Sequence, residues 1–158
     1  MKRLCLLVTV SAACATVKTP DAEELKPAVE AFHQRVRWKD FRGAAELIVP
    51  ERRDGFVKGR SKLNDDRDLF ITDFQLEDAQ VLPDAQLARV VSQMSWYRLP
   101  STSEKNVTLT SVYAWREGHW MLESQDEGPF DELRPAKDAP RPEHTNAPTT
   151  SLRGGPAK

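Results

Sequence analysis

Ala88-Arg89-Val90-Val91-Ser92-Gln93-Met94-Ser95-Trp96 and, after a polar loop, Val107-Thr108-Leu109-Thr110-Ser111-Val112-Tyr113-Ala114-Trp115 are the stretches on which the fold turns. In the first, Ala88, Val90, Met94 and Trp96 fall on alternate positions; in the second, Val107, Leu109, Tyr113 and Trp115 do. A period of two marks strands that set one face against a core. The chain continues Arg116-Glu117-Gly118-His119-Trp120. A two-residue turn at Glu117-Gly118 would pair Trp115 with Trp120, and Arg116 with His119 on the opposite face. Upstream, Phe70, Phe74 and Leu76 share one face of a further strand, and the apolar positions then change parity to Ala79 and Val81, which predicts a bulge. Pro83-Asp84-Ala85-Gln86 reads as the turn between strands.

Before residue 69 the period is helical. Leu25, Ala28, Val29, Phe32 and Val36 predict an amphipathic helix over about 21–38, capped by Thr19 or Asp21, with Pro27 tolerable only in its first turn. Phe41, Ala44, Ala45, Leu47 and Ile48 mark a second short helix that ends before Pro50. Residues 51–69 alternate charge with glycine and have only Phe56, Val57 and Leu63 as apolar anchors, which fits a broken third helix. Helices followed by an antiparallel meander of four or more strands define an α+β domain, with a curved sheet wrapped on the N-terminal helices.

Three stretches carry a resemblance. The run Trp38-Lys39-Asp40-Phe41-Arg42-Gly43-Ala44-Ala45-Glu46-Leu47, the stretch Trp96-Tyr97-Arg98-Leu99-Pro100 and the closing Trp115-Arg116-Glu117-Gly118-His119-Trp120 together resemble the NTF2-like (cystatin-like) superfamily, over residues 22–124. The resemblance implies a cone-shaped fold with a pocket between helix and concave sheet, and a homodimer packed through the sheet. The superfamily holds enzymes, ligand binders and assembly domains alike, so fold does not settle function.

The first residues point to export. Lys2 and Arg3 precede a short apolar stretch, Leu4 to Val10, and the small residues Ser11, Ala12 and Ala13, which reads as a signal peptide over 1–13. Cys14 would then open the mature chain as its only cysteine, since Cys5 leaves with the signal. This resembles bacterial lipoproteins, whose first cysteine is acylated, although Ser11 stands where such signals usually carry Leu. Cleavage after Ala15 by an ordinary signal peptidase is the alternative. Acylation at Cys14 would place the protein in the cell envelope, membrane-anchored, as a periplasmic or outer-membrane lipoprotein. Residues 14–20 form a linker, 21–127 the domain and 128–158 a tail. Six of the eleven prolines lie in residues 129–158, with few large apolar side chains, so the tail is expected to be disordered.

Composition narrows the chemistry. The 158 residues carry 23 Lys plus Arg against 24 Asp plus Glu, a formal charge of -1. That balance argues against a nucleic-acid partner. Two cysteines near the N-terminus exclude a disulfide or a Cys-based zinc cage within the domain, no His pair has metal-ligand spacing, and neither a metal nor a cofactor is expected. A pocket acid or base would come from Asp73, Asp78, Tyr97, Tyr113, His33 or His119. Asp73 alternates away from the apolar face, His33 and His119 read as surface residues, and Asp78 and Tyr113 remain as weak candidates for a small isomerase or hydrolase. Arg52, Arg53, Lys58, Arg60 and Lys62, diluted by Asp54, Asp65, Asp66 and Asp68, read as a solvated face. Phe32, Trp38, Phe41, Phe56, Trp96, Tyr113, Trp115 and Trp120 either line a cavity for a small hydrophobic ligand or fill a core. The expected role is thus a non-enzymatic module that binds a ligand or an envelope protein.

Overall fold

The computed structural model describes residues 20, 22–83 and 86–135. The signal, Cys14 and nearly all of the linker lie outside the described residues, as do the expected caps Thr19 and Asp21. A 3-10 turn, Ala22–Glu24, leads into α1 (Leu25–Arg37), whose N-cap position falls to Glu24 without a side-chain cap. Pro27 is the third residue of the helix, so its missing N–H costs no bond. Leu25, Val29, Phe32 and Val36 form the buried stripe. In α2 (Phe41–Glu46) the Asp40 side chain caps the helix by accepting the Gly43 N–H at 2.9 Å. The charged segment that follows is helical in two pieces, α3 (Pro50–Lys62) and α4 (Asp65–Asp68), parted at Asn64, where φ is 52°. Asparagine tolerates this left-handed conformation better than most residues, which is why the break falls there.

The strands β1 (Leu69–Val81), β2 (Leu87–Arg98), β3 (Lys105–Arg116) and β4 (His119–Gln125) form one antiparallel sheet in chain order, so the domain is α+β. Trp115 pairs with Trp120, and Arg116 with His119, across a turn whose two central residues both have positive φ, 52° at Glu117 and 83° at Gly118. That turn matches the right-handed twist of the strands it joins. The two indoles meet edge to face at 5.2 Å. The expected bulge lies between Leu76 and Asp78, and a second, unexpected one lies between Ile71 and Asp73. The second bulge corrects the reading of Phe70. Leu69, Ile71, Phe74 and Leu76 face inward, while Phe70 lies on the outer face, stacked on Tyr97 at 4.9 Å with the Lys39 ammonium above it.

The two sheet edges differ. At β4 the segment after α2 forms a parallel bridge: the Val49 N–H donates to the Leu122 carbonyl at 3.0 Å and the Leu122 N–H to the Leu47 carbonyl at 2.8 Å. At β1, among the described residues, no strand lies outside.

The boundary expected at residue 127 lies too early. Residues 129–135 fold back on α3, with a 3-10 turn over Asp131–Leu133 and with Phe130 and Leu133 buried. Phe130 meets Phe56 at 5.4 Å and Phe32 at 6.2 Å, both edge to face. Arg52 donates to the carbonyls of Glu132 at 3.3 Å and Arg134 at 2.9 Å. Two large apolar side chains three residues apart outweigh the proline-rich average of the tail, because burying each contributes about 1.5 to 3 kcal/mol. The rest of the tail, 136–158, lies outside the described residues.

Candidate functional site

The seven side chains singled out as cavity-lining candidates, Phe32, Phe41, Phe56, Trp96, Tyr113, Trp115 and Trp120, are all buried. Phe56 stands among Phe32 at 6.2 Å, Phe41 at 6.3 Å and Phe130, so these rings pack against one another and leave no space between them for a ligand. Trp38, read with them, is instead 77% exposed just past α1.

Neither weak acid–base candidate is placed for such chemistry. Asp78 follows the bulge, pairs with Val91 and is exposed on the outer face of the sheet. Tyr113 points inward, and its hydroxyl is buried without a hydrogen-bond partner among the described residues. Burial pushes its phenol above the ordinary tyrosine range, so it keeps its proton at neutral pH. Asp73 and His119 are exposed and Tyr97 is half-buried on the outer face.

His33 corrects the expectation of a surface residue. It is 4% exposed, stacked on Phe74 at 3.5 Å with 17° between the rings, and meets the edge of Phe32 at 5.3 Å. Burial lowers its pKa to about 3, which leaves the imidazole neutral at pH 7. Its spacing of four from Val29 and three from Val36 could have revealed this position, since such residues share a helix face. The ring lines a cleft of about 560 Å³ between α1 and β1, together with Glu30, Gln34, Arg37, Trp38, Ile71 and Phe74.

The second concentration of polar chemistry was read as part of a solvated face, and the structure buries it. Arg60 is 2% exposed and Asp65 0%. Arg60 donates to the Asp65 carboxylate at 2.7 Å, to the Pro129 carbonyl at 3.1 Å and to the Glu132 carboxylate. Arg98 Nη2 approaches Asp65 from the other side, 2.9 Å from Oδ1 and 3.2 Å from Oδ2. The Arg60 guanidinium also lies 4.8 Å from the Phe130 ring and 5.3 Å from that of Phe56. Burial pushes the Asp65 carboxyl above its ordinary value and outweighs the opposite pull of Arg60 and Arg98. Gly59 makes the arrangement possible, because a Cβ there would run into the Glu132 carboxylate. This cluster ties the C-terminal segment to α3, α4 and β2. Composition cannot reveal it, since nothing local in the sequence distinguishes Arg60 from Arg52 or Lys58. Among the described residues no group of three or more His, Cys, Asp or Glu side chains is arranged to hold a metal ion.

No family model matches the chain, and no curated protein matches it. Solved structures do. The solution structure of a SEC-C motif containing protein from Rhodopseudomonas palustris aligns with a TM-score of 0.53 at 17% identity, over 66% of this chain and 78% of that one. The crystal structure of the intermembrane space region of chloroplast protein ARC6 aligns with a TM-score of 0.48 at 14% identity, over 66% of this chain and 94% of that one. The first likeness shows a shared fold and nothing more.

Proposed function

We propose that this chain is an exported, lipid-anchored cell-envelope protein whose NTF2-like domain acts as a binding or assembly module. The observation that carries the module reading is the filled interior. Phe32, Phe56 and Phe130 close the space between helices and sheet, while two surface clefts stay open, one between α1 and β1 with Trp38 at its rim and one of about 490 Å³ between α2 and α3. An acid–base enzyme of this kind needs a group of suitable pKa in a solvent-reaching apolar pocket, whereas Asp78 stands outside, Tyr113 is sealed within, and His33, which does line the cleft, is lowered by burial to a pKa of about 3 and is a poor proton acceptor. The anchor rests on the sequence alone: a charged start, a short apolar stretch, small residues and then Cys14. Metabolic labelling with a fatty-acid analogue tests it. The wild type should be marked and Cys14→Ser should not, and equal labelling of the two would remove the anchor from the proposal.

A further inference from the structure

An open sheet edge is a template for another chain, and proteins blunt such edges with proline, lysine, short strands, bulges or a covering segment. The β4 edge of this sheet is covered by Leu47–Val49. The β1 edge is not covered among the described residues, and β1, 13 residues long, contains no Pro, Gly, Lys or Arg; the blunting it carries is its two bulges, at Thr72 and Glu77, which leave Asp73 to Leu76 and Asp78 to Val81 in regular register with β2. Its two faces are chemically distinct. Inward, opposite the buried Met94, Ser92 and Val90, stand Phe74, Leu76 and Ala79; the first two are only half-buried and Ala79 is exposed. This apolar ledge runs into the α1–β1 cleft beside His33 and Trp38. Outward, opposite Ser95 and Val91, stand the exposed carboxylates Asp73 and Asp78, and Glu77 is exposed on the bulge between. Arg89, opposite Gln80, stands only at the far end.

We infer that the outer edge of β1, over residues 72–80, docks an extended segment of a partner protein in which apolar and basic residues alternate. Added as a fifth, outermost strand, such a segment would set its apolar side chains on the ledge of Phe74 and Leu76. Its lysines or arginines would lie over Asp73 and Asp78. Main-chain pairing supplies affinity in this mode of recognition and alternate side chains supply specificity. A second copy of β1 fits less well, because it would bring carboxylates against carboxylates along the new pair, where like charges oppose. The inference deepens the binding-module reading and rests on it, though not on the lipid anchor.

The test titrates the full chain with an eight-residue, end-blocked peptide alternating Val and Lys, followed by amide chemical shifts in NMR and by indole fluorescence. The expected result is a set of shifts at residues 72–80 and at Trp38. Affinity should fall about tenfold or more in Asp73→Lys/Asp78→Lys, and binding should vanish when alternate peptide nitrogens are methylated. Both substituted sites are exposed, and an unchanged melting curve verifies that the variant folds; Trp38→Ala, which should weaken binding, provides an independent second variant. Equal binding of the peptide with Glu in place of Lys, or shifts confined to another surface, would overturn the edge assignment while leaving the module standing. Concentration-dependent dimerisation that shifts residues 72–80 without peptide would assign the edge to a second copy. Shifts at the same residues on deletion of 136–158 would assign it to the chain itself, and either result overturns a basic partner. Failure of the anchor would appear only in the labelling of Cys14 and would leave the titration unchanged.

Discussion

Acidification should destabilise this domain through His33 before most of its other groups matter. The imidazole lies flat on Phe74 and against the edge of Phe32, with Glu30 and Arg37 as the charged side chains lining the same cleft. Its pKa is about 3 when folded against an ordinary value of 6.5. Between those two values the unfolded chain binds a proton that the native one does not, so unfolding becomes easier as pH falls. The contribution of His33 is therefore complete above pH 6.5 and is lost progressively toward pH 3. At pH 4.5, two units below the unfolded value, the loss is about 2 to 3 kcal/mol. That is a large fraction of the net stability of a small domain. Urea melts of the wild type and His33→Leu at pH 7.0 and 4.5 isolate it, because the carboxylates titrate in both proteins and drop out of the difference. The variant should lose about 2 to 3 kcal/mol less than the wild type on acidification. Equal losses, or an NMR titration of folded His33 near 6.5, would refute the reasoning.

Phe130→Ala should cost about 3 to 5 kcal/mol as a buried aromatic truncation, and ending the chain after Gly128 should cost at least as much; a melting temperature within a few degrees of the wild type would show that this segment does not hold the core. Arg60→Met leaves Asp65 buried with Arg98 alone and should destabilise by about 3 to 5 kcal/mol, whereas adding Asp65→Leu should recover part of that loss in a double-mutant cycle. Trp115→Ala should likewise cost about 3 to 5 kcal/mol, while Asp78→Asn, on the exposed face, should change denaturant stability by less than about 0.5 kcal/mol. Stabilisation by Asp78→Asn of more than about 1 kcal/mol would favour the isomerase or hydrolase reading, with Asp78 as a buried base.

Where one residue's neighbours decide its fate, the sequence was readable. The alternation in residues 88–96 and 107–115 specified the inward faces of β2 and β3, and Glu117-Gly118 specified both the last hairpin and its Trp115–Trp120 pair. The bulge after Leu76 was visible as a change of parity. The one at Thr72 was not, because Phe70, Phe74 and Leu76 keep an unbroken period of two whether or not a residue is inserted between them and Ile71. The site was less legible than the fold. Arg60, Asp65, Arg98 and Glu132 are charged and make contacts that span 5 to 72 residues of sequence, so periodicity and composition both assign them to water. Phe130 and Leu133 were lost in the average of a proline-rich window. The cleft beside His33 depends on how far α1 sits from β1, which no local pattern encodes.

The bonds that fasten residues 129–134 to α3 span 69 to 82 positions of sequence. The aromatic cluster around Phe56 is therefore incomplete until Phe130 has been synthesised, and contacts of such long separation form late and slowly. If the proposed export carries the chain across a membrane unfolded, this arrangement would act as a timer. The elements from α1 to β4 can emerge without committing to a finished core, and the last contacts become available only once the segment following β4 has passed through.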